Sequence, residues 1–281
     1  MRIIERIDEM ARWSECERRQ GRRLAFVPTM GFLHEGHLQL VRDARRRGDR
    51  AVVSIFVNPT QFAPGEDFAA YPRDLERDRG LLEKEGVDVL FHPAAEEMYP
   101  DGFQTHVAVE TLGSFLCGPK RPGHFRAVAT VVAKLFNIVR PDVAIFGEKD
   151  YQQLAIVRRL VRDLNYPIEI VGHPTVREPD GLALSSRNVY LNAEERKAAV
   201  CLFRALGKAA CAVRRGAVDA ARIIAAARAE IDAQPLARVD YIELCDPVTL
   251  EDVQQLTHAA LLAIAVRIGK TRLIDNTILK R

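Results

Sequence analysis

LAFVPTMGFLHEGHLQLV, residues 24–41, is the stretch that predicts the architecture of this chain. Residues 24–27 form an apolar, β-prone run that predicts a buried strand, and Pro28 is expected to end it. A turn containing Gly31 follows, and the segment from His34 onward has helical spacing. A strand, a glycine-containing turn and a helix form the first half of a βαβ unit, and the N-terminus of such a helix can accept an anionic ligand.

Two histidines lie in the first turn of this predicted helix. His34 and His37 are three residues apart and therefore share one face, while Gly36 between them lets a planar group or another backbone come close. Three interpretations are open: a metal-binding pair, ordinary helix-surface histidines, or a pair that donates hydrogen bonds to phosphoryl oxygens. No third metal ligand accompanies the pair locally, so the phosphate-binding interpretation is favoured.

The bulk properties are those of an ordinary globular protein. The chain has 281 residues, 48% of them hydrophobic and 28% charged, which is enough for one large domain or two smaller ones. A net charge of +3, with no aromatic residues interleaved among the arginine clusters, argues against a nucleic-acid partner. Five scattered cysteines argue against a disulfide framework, and neither a signal peptide nor a membrane-spanning run is apparent. We therefore expect a cytoplasmic protein that binds neither nucleic acid nor membrane.

Periodicity along the chain predicts two domains. An amphipathic helix is predicted over residues 3–20 and a core helix over 127–139. The irregular segment 92–125 predicts a functional loop, with a merely exposed loop as the alternative. Four further strands are predicted, at residues 51–57, 87–91, 143–146 and 168–176. Together with the opening strand they make five. Strands that alternate with helices favour an α/β fold, a doubly wound parallel sheet (Rossmann-like), over residues 1–180.

The remaining residues, 181–281, predict a second, smaller α+β domain. Two helices are expected at residues 192–215 and 218–233. Two or three short strands follow them, with a hairpin turn at Gly269-Lys270. We interpret this part of the chain as a small C-terminal lid domain.

Polar residues follow two of the predicted strands directly. Asn58 and Gln61 come just after the strand at 51–57, where amides suit a substrate that carries hydroxyl or carboxylate groups, although turn capping is an alternative for Asn58. Lys149 and Gln153 come after the strand at 143–146, and Asp150 is expected to cap the helix that follows. A lysine at that position would meet phosphate as a point charge.

A later loop adds hydroxyl groups and a guanidinium. Ser185, Ser186 and Arg187 lie in the segment REPDGLALSSRNVYL, which follows the fifth predicted strand. A mobile loop with these side chains can close over a triphosphate and stabilise the leaving group.

Four long motifs resemble, in order and spacing, those of the pantothenate synthetase (pantoate–β-alanine ligase) family within the nucleotidylyltransferase superfamily. They are PTMGFLHEGHLQLV, SIFVNPTQF, RPGHFRAVATVVAKLFNIVRPDVAIFGEKDYQQL and TVREPDGLALSSRNVYLN. The resemblance implies that ATP drives the ligation of pantoate and β-alanine to pantothenate through a pantoyl adenylate, with release of AMP and pyrophosphate. It also implies Mg²⁺ without assigning its protein ligands, and a homodimer. The alternative is another adenylate-forming ligase or nucleotidylyltransferase of the superfamily that uses a different acid.

The resemblance also implies roles for individual residues. The catalytic residues it implies are His34, His37, Lys149 and Arg187. Pantoate and β-alanine would be bound by Met30, Asn58, Gln61, Tyr71 and Gln153. ATP would be bound by Met30, His34, His37, Gly147, Lys149, Asp150, Val176, Leu184, Ser185, Ser186 and Arg187.

Overall fold

A six-stranded, wholly parallel sheet organises the N-terminal part of the computed structural model, which describes residues 1–281. Its strands are β1 (Arg2–Ile4), β2 (Leu24–Thr29), β3 (Arg50–Ile55), β4 (Val89–Phe91), β5 (Val143–Gly147) and β6 (Glu169–His173). They lie in the order β1-β4-β3-β2-β5-β6, so the direction of chain progress across the sheet reverses between β2 and β5. This confirms the predicted doubly wound, Rossmann-like fold.

Helices cover both faces of this sheet. They are α1 (Ile7–Arg19), α2 (Glu35–Arg47), α3 (Leu75–Lys84), α4 (Ala95–Met98), α5 (Glu110–Gly113), α6 (His124–Val139) and α7 (Tyr151–Asp163). Successive residues of β2 point to opposite faces: Phe26 packs in a core with residues of α6 and α7, whereas Ala25 and Val27 pack in a core with residues of α2. Burial on both faces explains why the strand is a continuous apolar run.

The C-terminal part contains three more helices and an antiparallel sheet. Its elements are α8 (Ala193–Ala199), α9 (Cys201–Arg214), α10 (Ala220–Asp232), β7 (Ala237–Cys245), β8 (Ala259–Ile268) and β9 (Thr271–Lys280). One hydrophobic core lies wholly within residues 182–279, and another joins the strands β7 to β9 to α5, α6 and α7. The hairpin turn predicted at Gly269-Lys270 is confirmed, because Ile268 pairs with Thr271 and Gly269 has φ +55°. The division of the chain at residue 180 stays a prediction.

The N-terminal strand was not predicted. Residues 2–4 form β1, which pairs with β4, and the helix predicted over 3–20 begins only at Ile7. A strand of three residues is too short to show a period of two, and its isoleucines fit the helical pattern equally well. The sheet therefore has six parallel strands, not five.

The prediction that Pro28 ends its strand was also wrong. Pro28 pairs with Ser54, and β2 continues to Thr29. On its other side β2 pairs with β5 only at Ala25 and Phe26. At Pro28 the strand thus has a neighbour on one side alone, where a residue without an N–H is tolerated.

Several predicted boundaries differ from the observed ones. The core helix begins at His124, after Gly123 with φ +81°, and the predicted helix over 192–215 is two helices separated at Val200. The strand predicted over 168–176 covers only Glu169–His173. The segment 92–123 is irregular apart from the short helices α4 and α5. No helix combines the length and the apolar composition that crossing a membrane requires.

Candidate active site

A cavity of about 780 Å³ opens at the carboxyl ends of β2 and β5, where the strand order reverses. Parallel sheets bind their ligands at this type of position. All the side chains proposed from the sequence line this one cavity: Met30, His34, His37, Asn58, Gln61, Tyr71, Gly147, Lys149, Asp150, Gln153, Val176, Leu184, Ser185, Ser186 and Arg187. The fold thus brings together residues that are up to 157 positions apart in the sequence.

The histidine pair lies at the start of α2. His34 is the N-cap residue, and its backbone N–H donates to Nδ1 of His37 at 3.3 Å. The two ring centroids are 4.1 Å apart. A Cβ on Gly36 would lie 2.9 Å from both Cε1 and Nδ1 of His34, so only glycine leaves room for the ring in this position. The chain contains no group of three or more His, Cys, Asp or Glu side chains arranged to hold a metal ion, so the metal-pair interpretation gains no support.

Both imidazoles are neutral at pH 7. Burial, with Lys149 and Arg77 nearby, lowers the pKa of His34 to about 4. Burial, with His34 and Lys149 nearby, holds the pKa of His37 well below its usual value. A neutral imidazole has one N–H donor, and because Nδ1 of His37 accepts a hydrogen bond, its proton is on Nε2. Each ring can therefore donate one hydrogen bond to a phosphoryl oxygen.

A buried carboxylate holds the turn that precedes the histidines. Gly31 and Phe32 have φ values of +80° and +50°, in the left-handed region. Asp78, on α3 and only 1% exposed, accepts the backbone N–H groups of Phe32 at 2.6 Å and of Leu33 at 2.7 Å. Asp78 was not predicted from the sequence, where its only signal is its position one helical turn before the buried Leu82.

Met30 and the amides after β3 form one hydrogen-bonded group. Nε2 of Gln61 donates to the sulfur of Met30 at 2.9 Å, and Nδ2 of Asn58 donates to Oε1 of Gln61 at 3.1 Å. Asn58 is only 1% exposed, and its Oδ1 accepts the backbone N–H of Thr60, which is the capping arrangement considered above. Asn58 therefore orients Gln61. Gln153 makes no side-chain hydrogen bond within the chain and is free to bind a ligand.

The serine–arginine loop is tied to two other segments. Ser186 donates to the carbonyl of Phe32 at 3.2 Å, which joins this loop to the turn before the histidines. Arg187 makes two parallel hydrogen bonds to Asp67, at 2.9 and 3.0 Å, and its guanidinium carbon lies 5.7 Å from the ring centroid of Tyr71. Asp67 was not predicted, because nothing local in the sequence marks a partner 120 residues away.

A lysine lies in the turn that follows β5. Burial lowers the pKa of Lys149, and the carboxylates of Asp150 and Asp275 oppose this shift. The ammonium group of Lys149 has no ion-pair partner within 4.0 Å in the chain. Asp150 occupies the N-cap position of α7, but its side chain makes no capping hydrogen bond, so the predicted capping role was wrong. Its carboxylate is exposed at the cavity.

Known proteins resemble this chain over its whole length. The family model described as pantoate-beta-alanine ligase matches residues 2–278. A pantothenate synthetase from Heliobacterium modesticaldum is 58% identical over 280 residues, which cover 100% of both chains. The crystal structure of a pantothenate synthetase from Thermus thermophilus has a TM-score of 0.94 and 51% identity, covering 99% of each chain.

One similar structure contains bound ligands. It is a pantoate-beta-alanine ligase from Francisella tularensis, complexed with beta-gamma ATP and beta-alanine. Its TM-score is 0.80 and its sequence identity 34%, with coverage of 99% of this chain and 97% of the other.

Proposed function

Because this chain belongs to the pantoate–β-alanine ligase family and is a ligase of that activity, we propose that it forms pantothenate in two steps driven by ATP. In the first step, a carboxylate oxygen of pantoate attacks the α-phosphorus, and the bond to the pyrophosphate leaving group breaks. In the second step, the amine of β-alanine attacks the acyl carbon of the pantoyl adenylate, AMP leaves, and the nitrogen loses a proton. The similar enzyme from Francisella tularensis, complexed with an ATP ligand and beta-alanine, supports this choice of substrates.

The observation that carries the proposal is the set of donors that converges on one cavity. Two neutral imidazoles, the unpaired ammonium of Lys149 and the serine–arginine loop surround the carboxyl ends of β2 and β5. We assign His34, His37, Lys149 and Arg187 to the phosphates, with Ser185 and Ser186 beside them. The first step brings two anions together, so preorganised donors and cations lower its barrier without a side-chain nucleophile.

We assign the two glutamines and Met30 to pantoate. Gln61 now donates to a thioether sulfur, which is a weak acceptor, so a hydroxyl or carboxylate oxygen of pantoate would be a better partner. Gln153 has both ends of its amide free. Tyr71 lies beside Arg187 at the wall of the cavity and is assigned to the approach of β-alanine, and Asn58 acts by orienting Gln61.

The nucleoside end of ATP is assigned to the wall formed by β5 and the segment after β6. Leu184 and Val176 are joined by a backbone hydrogen bond of 3.0 Å, and both line the cavity. Gly147, the last residue of β5, and Asp150, which directly precedes α7, also line the cavity. Val176 and Leu184 give this wall an apolar surface that suits the face of a base.

The donor set fits Mg²⁺ carried mainly by the triphosphate. Four carboxylates line the cavity, at Glu66, Asp67, Asp150 and Asp275, and all but Asp150 form ion pairs with arginines. Mg²⁺ is commonly held by one or two carboxylates together with phosphates and water, so Asp150 is the residue that would hold it. The ion would neutralise charge that develops on the phosphate oxygens.

Three further properties are proposed from the family resemblance. They are a homodimeric assembly, a cytoplasmic location, and a lid function for the C-terminal domain over residues 181–281. The core that joins the strands β7 to β9 to α5, α6 and α7 supports a C-terminal domain that packs beside the cavity.

The decisive experiment is isotope exchange between ATP and pyrophosphate with and without pantoate, in the absence of β-alanine. We expect exchange only when pantoate is present, because labelled pyrophosphate can enter ATP only by attacking the pantoyl adenylate, and without β-alanine this intermediate is not consumed. Intact ATP binding without pantoate-dependent exchange would refute pantoate as the acid, and exchange with another hydroxy acid would then favour the alternative ligase. A chain that does not bind ATP would refute the assignment of the cavity.

A further inference from the structure

The C-terminal strand β9 reaches the turn that carries Lys149. Nδ2 of Asn276 donates to the backbone carbonyls of both Glu148 and Lys149, at 2.9 Å in each case. This contact spans the two parts of the chain, 127 and 128 residues apart. Both Asn276 and Lys149 line the cavity.

No other side chain donates a hydrogen bond to the backbone of this turn. Residues Glu148–Asp150 form a single short 3-10 turn between β5 and α7, and no side chain caps its start. The side chain of Lys149 makes no hydrogen bond or ion pair within the chain, so its placement is constrained through the backbone that carries it. A donor that fixes two successive carbonyls therefore fixes the point from which the flexible side chain carries the ammonium group into the cavity.

The residue before Asn276 fixes the backbone of Asn276 in turn. Asp275 is only 3% exposed, and its Oδ1 accepts the backbone N–H of Asn276 at 2.8 Å. Its two oxygens also accept hydrogen bonds from Arg177, at 2.6 and 2.9 Å. Arg177 belongs to the segment that leads into the serine–arginine loop, since it pairs with Ala183. Two neighbouring residues of β9 thus contact both the turn that carries Lys149 and the segment that leads into the serine–arginine loop.

We propose that Asn276 is a positioning residue for the adenylation step, acting through Lys149. This inference rests on the proposed function and assigns to the C-terminal domain a defined part in it. Without the amide donor, the carbonyls of Glu148 and Lys149 would turn toward water, and the ammonium group would move away from the site of negative charge. Misplacement by about 1 Å costs on the order of 10²-fold in rate, so partial misplacement should cost about 10-fold.

The test is a double-mutant cycle measured by pantoate-dependent ATP–pyrophosphate exchange. The proteins are the wild type, Asn276→Ala, Lys149→Ala and the double variant, with Thr277→Ala as the control. Thr277 is the next residue of β9 and makes no side-chain hydrogen bond. We expect Asn276→Ala to lower the exchange rate about 10-fold in the wild type and less than about 2-fold in the Lys149→Ala background, because the amide acts through that lysine. Thr277→Ala should exchange at the wild-type rate.

Each result has one consequence. Equal losses in both backgrounds would overturn the proposal, because a general structural effect does not depend on Lys149. If Asn276→Ala does not fold, Asn276→Asp replaces it, because a carboxylate keeps the shape of the side chain but cannot donate a hydrogen bond. An exchange rate of the folded Asn276→Asp variant equal to that of the wild type would also overturn the proposal. Absence of exchange in the wild type would instead refute the proposed function itself, whereas wild-type exchange with an unaffected Asn276→Ala variant would refute only the role of Asn276.

Discussion

Replacing Gly36 with alanine should separate stability from activity. The new Cβ would lie 2.9 Å from Cε1 and Nδ1 of His34, whereas carbon atoms normally approach to about 3.5–4.0 Å. The ring must therefore move by roughly 0.6 Å or more. It cannot do so freely, because the ring of His37 lies on it with centroids 4.1 Å apart.

A displacement of this size is large for a hydrogen-bond donor. We expect adenylation to fall by about 10- to 10²-fold, since errors approaching 1 Å carry costs of that order. Stability should fall only modestly, by about 1–2 kcal/mol, because the cost of displacing a packed ring, typically about 1–3 kcal/mol, is partly offset by the preference of helices for alanine over glycine, roughly 0.5–1 kcal/mol. The expected variant is thus folded and slightly less stable than the wild type but much less active.

The assay combines pantoate-dependent ATP–pyrophosphate exchange with thermal unfolding. Gly207→Ala is the matched control: Gly207 lies within α9, and a Cβ there would have nothing within 4 Å. It should gain stability and keep full activity. If Gly36→Ala catalysed exchange at the wild-type rate, the reasoning would be refuted. It would also be refuted if the variant were inactive because it is unfolded at the assay temperature.

Three further predictions follow from the same geometry. Lys149→Ala should lower the exchange rate by about 10²-fold or more, the cost of one preorganised charged donor, and near-normal exchange would contradict its role. The pKa of His34 in the folded protein is about 4, below its usual value, so between pH 6.5 and 4 the unfolded chain binds more protons than the folded protein does. Protonation therefore favours unfolding, and the free energy of unfolding should fall as the pH falls through this range. His34 should account for a decrease of about 1–2 kcal/mol in the free energy of unfolding between pH 7 and 5, measured by urea denaturation. The His34→Gln variant should show a smaller change of this free energy with pH. Asp78→Asn should cost about 1–3 kcal/mol of stability, since one of the two N–H groups it accepts loses its acceptor, and an unchanged urea midpoint would count against this.

The sequence predicts most of the main sheet because its strands are buried on both faces. Continuous apolar runs such as 24–27 are distinctive, and their alternation with helices leaves few topologies open. Short elements escape this reasoning, as β1 shows, because three residues contain no measurable period. Pro28 was misjudged because its tolerance depends on where the neighbouring strand β5 stops, which no local pattern encodes.

The candidate site shows the same division between local and distant information. Residues at strand ends and helix starts, such as His34 and Lys149, are marked by their position in a motif. Their supports are not: Asp78 contacts a turn 45 and 46 residues earlier, and Asn276 contacts a turn more than 120 residues earlier. Such partners become visible only when the chain has folded, since one aspartate or asparagine in a helix or strand looks like any other.

The pairing of β2 with β5 has a kinetic consequence. These adjacent strands contact each other across a separation of 118 residues, whereas β2 and β3 are close in sequence and can pair early. Closing a long loop loses entropy before the new contacts compensate for it, so one edge of β2 keeps unpaired backbone N–H and C=O groups while the intervening segments fold. Refolding from denaturant should therefore be slow, its yield should fall as the protein concentration rises, and a chaperone that shields the open edge should restore it.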